Sequence, residues 1–218
     1  MRPVPTAQTL VVFTGYILGG VALAWGLPQQ VPPSWTVSAG RTFWFGAPIV
    51  AFLLPTAVVV TDFLLRGLYV EHPIDESNSP NALDVYDAIM LRVTVFVMGV
   101  HGAVLLAVLG RLSGRRWAAE LVPLMLGFTM IGIGNLLPKT RPNLAIGIRT
   151  RLTLSDRALW IRVHRWAGYL MVGCGAVIVL SAIAVPRPAG TGMILVVGPA
   201  AFAATCLLVR FSSKHVHG

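Results

Sequence analysis

The sequence has few charged residues and very few acids. Only 11% of its 218 residues are charged, with 8 Asp and Glu against 17 Lys and Arg. An ordinary soluble domain has about 25% charged residues. Because 56% of the residues are hydrophobic, the chain has too few polar groups to cover a water-soluble globule, and lipid is the expected solvent. Positive-inside bias and attraction to anionic lipid then explain the net charge of +9 better than nucleic acid does.

Patterns typical of catalytic and metal sites are also missing. The chain contains no CxxC, no HExxH and no glycine-rich phosphate loop. The two cysteines, Cys174 and Cys206, lie in apolar runs and are expected to be small buried hydrophobes. His215 and His217 would supply only two ligands on one short tail. We therefore expect neither an enzyme nor a resident metal or cofactor.

Six apolar runs are long enough to cross a bilayer, which takes about 20 helical residues. Helices are expected because an open sheet leaves edge groups unpaired in lipid, so we predict an all-α, multi-pass bundle forming one membrane domain over 1–218. The first run could also be a signal peptide, since Ala22-Leu23-Ala24 resembles a cleavage site, but its length favours a retained helix. The runs cover about 10–27, 43–65, 88–109, 118–137, 166–185 and 192–209.

The distribution of basic residues predicts the orientation. The connection 135–168 carries seven of the 17 Lys and Arg and a single acid, Asp156. With a cytoplasmic N-terminus, eleven of the 17 lie inside and five outside, while Arg92 falls in the third span. Both termini are therefore predicted to be cytoplasmic. Three arginines in the third connection, 111–117, favour the opposite orientation.

The first half of this basic connection reads as a helix end followed by turns. Pro138 cannot continue the fourth span, and Lys139 follows where a helix dipole favours a cation. Asn143 and Gly147 are turn formers. Arg149 and Arg151 would project to the same face if the backbone is extended.

The second half reads as the start of a helix. Thr153 and Asp156 match a helix start signal, with Thr153 expected to cap the helix that continues into the fifth span. Trp160 and His164 are four apart and share a face. Composition alone favours an anchor that binds lipid phosphates through these cations.

The amino-acid sequence of the connection and of the residues around it, about 127–185, resembles the SdpI family. The similarity rests on GNLLPKxRPN at 134–143, GIRT at 147–150, TLSD at 153–156 and WxRxHRxxG at 160–168. The resemblance implies a bacterial inner-membrane protein with an SdpI-like region over 118–209 and a basic cytoplasmic loop at 138–165. The residues that would form its partner-binding loop are Asn135, Pro138, Lys139, Arg141, Pro142, Asn143, Gly147, Arg149, Thr150, Thr153, Asp156, Trp160, Arg162, His164 and Arg165.

A weaker resemblance covers the N-terminal region, 10–65. Leu27-Pro28, Val31-Pro32 and Trp35 are similar to a module often fused to the SdpI family, but Ser34 stands where that module usually has histidine. The outer connection 28–42 is the surface expected to meet an exported ligand.

Polar residues inside the predicted spans are a further set of candidates. His101, near the middle of the third span, is a functional hypothesis by default, and a neutral histidine bonded to a neighbouring helix is the alternative. Asp62 is expected to pair with Arg66 or Arg92, for structural pinning or for proton relay. The connection 66–87 is acidic and would either pair with the basic loop or be solvated separately.

Two further patterns concern the helices themselves. Pro48 and Pro55 are seven apart and could bend the second span, and broken helices mark sites in some transporters. Gly15 and Gly19 allow close helix approach.

The resemblance implies immunity to an exported peptide toxin, signalling through a cytoplasmic repressor held at the membrane, or both. A non-catalytic accessory subunit of a larger membrane complex is the alternative, and a small transporter or an enzyme using His101 or Asp62 is the third. Membrane lipids are partners under each hypothesis, whereas direct nucleic-acid binding is not expected.

Overall fold

The computed structural model describes residues 4–27, 43–71, 80–111 and 118–184. Within these ranges all regular structure is helical, which confirms the predicted all-α class. The elements are α1 (Thr6–Ala24), α2 (Phe43–Glu71), α3 (Pro80–Val108), α4 (Ala118–Gly134), the 3-10 turn η1 (Leu137–Lys139), α5 (Arg151–Ser155) and α6 (Arg157–Ala184).

Five of the six predicted spans are helices long and apolar enough to cross a membrane: α1, α2, α3, the α4–η1 segment and α6. In each of these five segments, only 17% to 33% of the residues in the most apolar 18-residue stretch are buried inside the protein. Most of the apolar surface therefore faces outward, as it does when lipid is the solvent. The sixth predicted span, 192–209, lies outside the described residues.

Helices α2 and α3 extend beyond the bounds predicted for the second and third spans. The connection 66–87 was expected to be an acidic loop, but α2 continues to Glu71 and α3 begins at Pro80, where proline is tolerated in a first turn. Both Asp84 and Asp87 therefore lie on α3. The helical extension is stabilised by contacts that hydropathy alone does not predict, since Tyr86 is buried there.

Contacts divide the chain into two compact units. The first, here called the helical unit, contains the described residues 4–27, 43–62, 93–111 and 118–122. The second, the connector unit, contains 63–71, 80–92 and 123–184. The single membrane domain over 1–218 stays a prediction.

Small residues bring α1 and α2 together in the helical unit. A side chain at Gly19 would collide with the carbonyl oxygen of Ala51, and one at Gly15 would meet Pro55. The Tyr16 and Thr56 hydroxyls share a hydrogen bond of 2.9 Å across the same contact. The predicted close approach of Gly15 and Gly19 is confirmed, and α2 runs through both of its prolines as one helix.

Glycines also define the crossing of α4 and α6 in the connector unit. A Cβ atom at Gly168 would lie 2.6 Å from the Gly134 carbonyl oxygen, and one at Gly175 would lie 2.6 Å from the Gly127 carbonyl oxygen. The two glycines of each helix are seven residues apart. The first glycine of α4, Gly127, contacts the second of α6, Gly175, and the second of α4, Gly134, contacts the first of α6, Gly168. Helices α4 and α6 are therefore antiparallel and pack backbone to backbone, as small residues permit in membranes.

Candidate functional site: the basic connector

The connector between α4 and α6 begins with a tight exit from α4. The backbone N–H of Leu136 donates to Ile133 at 2.9 Å, which closes the end of the helix. Pro138 packs on Gly168, where a Cβ atom would come within 3.1 Å of the proline ring. The Thr140 hydroxyl donates to the Leu137 carbonyl at 2.7 Å and ends η1. Direct contact with α6 therefore fixes the start of the connector.

Asn143 builds the next turn. Its side-chain oxygen accepts from the backbone N–H groups of Ala145 at 2.9 Å and Ile146 at 2.7 Å, while its amide donates to the Arg141 carbonyl at 2.6 Å. The side chain is 4% exposed, so these bonds are sheltered from water. The turn predicted at Asn143 is confirmed, and the asparagine replaces backbone partners that a loop would otherwise lack.

Trp160 and His164 form the centre of the connector, and both are fully buried. Their rings stack with centroids 3.9 Å apart and an interplanar angle of 17°, which confirms that they share a face. The indole N–H donates to the Thr140 carbonyl at 3.1 Å. The pair therefore ties the start of α6 to the segment that follows α4.

His164 uses both ring nitrogens. Nδ1 donates to the Trp160 carbonyl at 2.8 Å, and Nε2 accepts from the Ile148 backbone N–H at 2.9 Å. This pattern requires a neutral imidazole with its proton on Nδ1. Gly147, with φ of 116°, brings the backbone against these rings, since a Cβ atom there would collide with Nε2. The glycine is required both by its conformation and by the lack of space.

The helix start signal at 153–156 is used differently from the prediction. Thr150, and not Thr153, caps the short helix α5, accepting from the Thr153 N–H at 3.1 Å. The Thr153 hydroxyl accepts in turn from the Thr150 N–H at 2.9 Å and donates to the Ile148 carbonyl at 2.7 Å. Asp156 caps α6 by accepting from Ala158 at 2.8 Å and from the next N–H at 3.1 Å. The expected single helix is two helices, each with its own cap.

An apolar contact joins the connector to the extended part of α3. Tyr86, Met90 and Ala145 form one buried cluster, against which Leu65 and Ile146 pack. The acidic connection and the basic loop therefore meet through this apolar contact, where the prediction considered only charge pairing or separate solvation.

A buried ion pair lies beside this cluster. Arg66 donates to the Asp87 carboxylate at 2.7 Å, and its guanidinium lies 5.1 Å from the centre of the Tyr86 ring. Asp87 was expected either to pair with the basic loop or to be solvated, but it is 8% exposed and pairs with Arg66. The pair fixes α2 against α3 at the level where the connector packs.

Arg92 and Asp62 are both placed by their helices. Arg92 donates to the Ala88 carbonyl at 2.6 Å, and its side chain lies against Gly132 of α4. Asp62 is 4% exposed. The predicted pairs of Asp62 with Arg66 or Arg92 stay predictions.

His101 is fully buried within the helical unit. Its ring lies beside the backbone of Gly15 on α1, but neither ring nitrogen makes a well-formed hydrogen bond to the described residues. Thr94, two turns earlier on the same face of α3, is also fully buried, and its hydroxyl makes no such bond within the described ranges.

The cations of the connector point outward from this bonded core. Seven basic residues line its surface, with Arg141 half-buried and the others exposed. Arg149 donates to the Leu144 carbonyl, so its side chain stays close to the loop. The exposed cations are Lys139, Arg149, Arg151, Arg157, Arg162 and Arg165.

The motif residues thus divide into two groups by position. One group is buried or hydrogen-bonded within the loop, and the other presents positive charge on its surface. Family comparison connects this arrangement to known proteins. Residues 139–209 match the SdpI/YfhL protein family. This SdpI/YfhL region confirms the resemblance carried by the connector, and residues 139–184 of it are among those described. No curated protein and no solved structure matches the chain.

Sequence reasoning missed several residues that build the site. The glycine pairs of α4 and α6 were visible as a seven-residue spacing, Gly127 to Gly134 and Gly168 to Gly175, but only four-residue spacings were considered. Ala145 and Tyr86 gave no signal, because their contact depends on how α3 packs. Among the described residues no group of three or more His, Cys, Asp and Glu is placed to hold a metal.

Proposed function

We propose that this protein is an SdpI-like protein of the bacterial inner membrane that holds a cytoplasmic regulator at the membrane and gives immunity to an exported peptide toxin. The observation that carries the proposal is the folded connector with its outward cations, which lies in the SdpI/YfhL region. A rigid loop suits recognition, because its surface groups lose little freedom on binding.

Among the exposed cations, Arg149 and Arg151 are the two that we expect to contact such a regulator. Buried residues such as Trp160 and His164 would contribute by fixing the backbone that carries Arg149 and Arg151. Charge complementarity between this surface and an acidic patch would steer the encounter and set its specificity. The proposed role is non-catalytic, with toxin binding favouring one arrangement of the loop over another.

The immunity half of the proposal depends on the outer connection 28–42, with Trp35 within it and Trp44 just after it. Residues 28–42 lie outside the described part of the chain, so the support here is the sequence resemblance alone. Both termini and the connector are proposed to face the cytoplasm, following the bias of Lys and Arg.

The orientation has a direct test. In a background with Cys174→Ser and Cys206→Ser, an Arg151→Cys variant should resist a membrane-impermeant thiol reagent in intact cells and react after permeabilisation. Labelling in intact cells would contradict the proposed cytoplasmic face.

Retention of the regulator has a separate test. Candidate repressors encoded next to the gene would be tagged with a fluorescent protein and imaged with the intact chain. We expect one of them to be held at the membrane and released by the double substitution Arg149→Glu and Arg151→Glu. The matched control is Arg162→Glu with Arg165→Glu, which changes the net charge equally. Retention of no candidate, or equal release by both variants, would contradict a specific loop interface.

The accessory-subunit alternative loses one of its arguments. Gly15 and Gly19 were candidate docking positions, but both already contact α2 within the chain. Co-purification of stoichiometric membrane partners in mild detergent would still favour that alternative over the regulator model.

A further inference from the structure

A cavity of about 230 Å³ opens between the end of α4 and the start of α6. It is formed by η1 and the residues after it on one side, and by Arg157 and Ile161 on the first turns of α6 on the other. Pockets for drug-sized molecules usually measure about 300–1,000 Å³. This cavity therefore suits a small group and not a nucleotide or a larger ligand.

Among the described residues that line the cavity, three are cations, Lys139, Arg141 and Arg157, and none is an acid. The nearest acid in sequence, Asp156, directs its carboxylate to the N–H groups of Ala158 and Leu159, where it caps α6. The cations come from both sides of the cavity, so an anion that enters it would meet positive charge from each side.

The backbone around these cations is fixed by bonds already described. The Thr140 carbonyl accepts from the Trp160 indole, and the Arg141 carbonyl accepts from the Asn143 amide. Pro138 is held against Gly168. The backbone that carries Lys139 and Arg141 is therefore held in place, and mainly their side chains would have to order when an anion binds.

The cavity also lies where phosphate is abundant. It sits between the ends of two candidate membrane spans, the α4–η1 segment and α6. Further along α6, Trp166 and Tyr169 are exposed and pack edge to face, an aromatic pair of the kind found at membrane interfaces. Lys and Arg at span ends reach the level of the lipid headgroups.

We propose that this cavity binds a phosphate group through Lys139, Arg141 and Arg157. Two sources carry that chemistry: the headgroup of an anionic phospholipid and free inorganic phosphate. Guanidinium groups match the geometry of phosphate oxygens, and charge-assisted bonds of this kind are the strong ones. The proposal does not depend on retention of a regulator, because it concerns the cavity and not the outward face with Arg149 and Arg151.

The test uses the purified full-length chain and two probes. In the first arm, native mass spectrometry compares retention of phosphatidylglycerol with retention of phosphatidylcholine. In the second, isothermal titration calorimetry on the protein in phosphatidylcholine nanodiscs measures binding of inorganic phosphate. Binding in the first arm alone identifies a lipid site, and binding in the second identifies a site open to the free anion. Either result supports the proposal.

The variants separate a built site from general positive charge. Lys139→Gln combined with Arg157→Gln should weaken binding at least about tenfold, the effect expected from losing charge-assisted bonds. The matched control, Arg162→Gln with Arg165→Gln, removes the same charge from exposed positions that do not line the cavity. Equal weakening in both double variants, or binding of neither probe, would overturn the proposal. An unchanged thermal unfolding transition, followed by tryptophan fluorescence, would show that each variant remains folded.

Discussion

His164 in the connector unit and His101 in the helical unit are both fully buried, but they have different surroundings. His164 bonds through both ring nitrogens, and the loop around it satisfies its polar groups one by one. In the helical unit the side chains of His101 and Thr94 and the side-chain oxygen of Gln8 are buried, and none of them makes a well-formed hydrogen bond to the described residues.

The difference reflects how each unit is held together. The connector is stabilised by directional bonds from side chains to the backbone, so each of its polar residues has a defined partner. The helical unit is held by close approach of small residues such as Gly15 and Gly19, which does not require polar partners. A buried polar atom without a partner has a free-energy cost and calls for an explanation such as a bound water.

The largest expected effect follows from removing the Trp160 ring at the centre of the connector. Trp160→Ala should lower the free energy of unfolding by about 3–5 kcal/mol, because it empties a fully buried site and removes the bond to Thr140. The measurement is equilibrium unfolding in mixed micelles with increasing SDS. Trp166→Ala, at a position 53% exposed, is the control and should change little. Equal losses would mean that Trp160 is not central.

The next effect concerns the crossing of α4 and α6. Gly168→Ala should lower the free energy of unfolding by about 1–3 kcal/mol, since its Cβ atom would lie 2.6 Å from the Gly134 carbonyl oxygen and the neighbour is backbone. Gly173→Ala on the same helix has nothing within 4 Å and should be neutral or slightly stabilising. The same SDS titration separates the two, and a neutral Gly168→Ala would refute the backbone contact.

The two histidines give the sharpest form of the comparison. His164→Phe keeps an aromatic ring at this position but leaves the Ile148 N–H without its acceptor. The free energy of unfolding should fall by about 1–3 kcal/mol. His101→Phe removes ring nitrogens that the described residues do not satisfy, and should be neutral or stabilising. Thermal unfolding followed by tryptophan fluorescence would measure both. A larger loss for His101→Phe would reverse the comparison and point to a partner or a functional ligand for His101.

The smallest effect is expected at the helix caps. Thr150→Ala and Asp156→Ala should each cost about 1 kcal/mol, because each removes the acceptor for the first N–H groups of a helix. Ser155→Ala is a control, since its exposed hydroxyl bonds only to the Leu152 carbonyl one turn earlier. Hydrogen exchange at residues 151–160 reports the local opening. Protection unchanged in all three variants would show that the caps do not hold this segment.

The predictability of the connector varied with the range of the interaction. Local signals at Asn143 and Gly147 were correct, because an Asx turn and a positive φ depend on near neighbours. The cap was assigned to Thr153 when Thr150 takes that place, since both threonines fit the pattern and only the break at Asp156 distinguishes them. The length of α3 was underestimated because its first turns are stabilised by Ala145, more than fifty residues away in sequence.

By itself, the sequence determined that this is a helical membrane protein with an SdpI/YfhL region, because low charge, long apolar runs and a specific motif are properties of the chain. Only the tertiary structure decided which motif residues are internal and which face outward. That division arises because α4 and α6 cross at paired glycines, which brings Thr140 within reach of Trp160 and Ile148 within reach of His164. Contacts between residues far apart in sequence determine where each side chain lies, and no local pattern contains them.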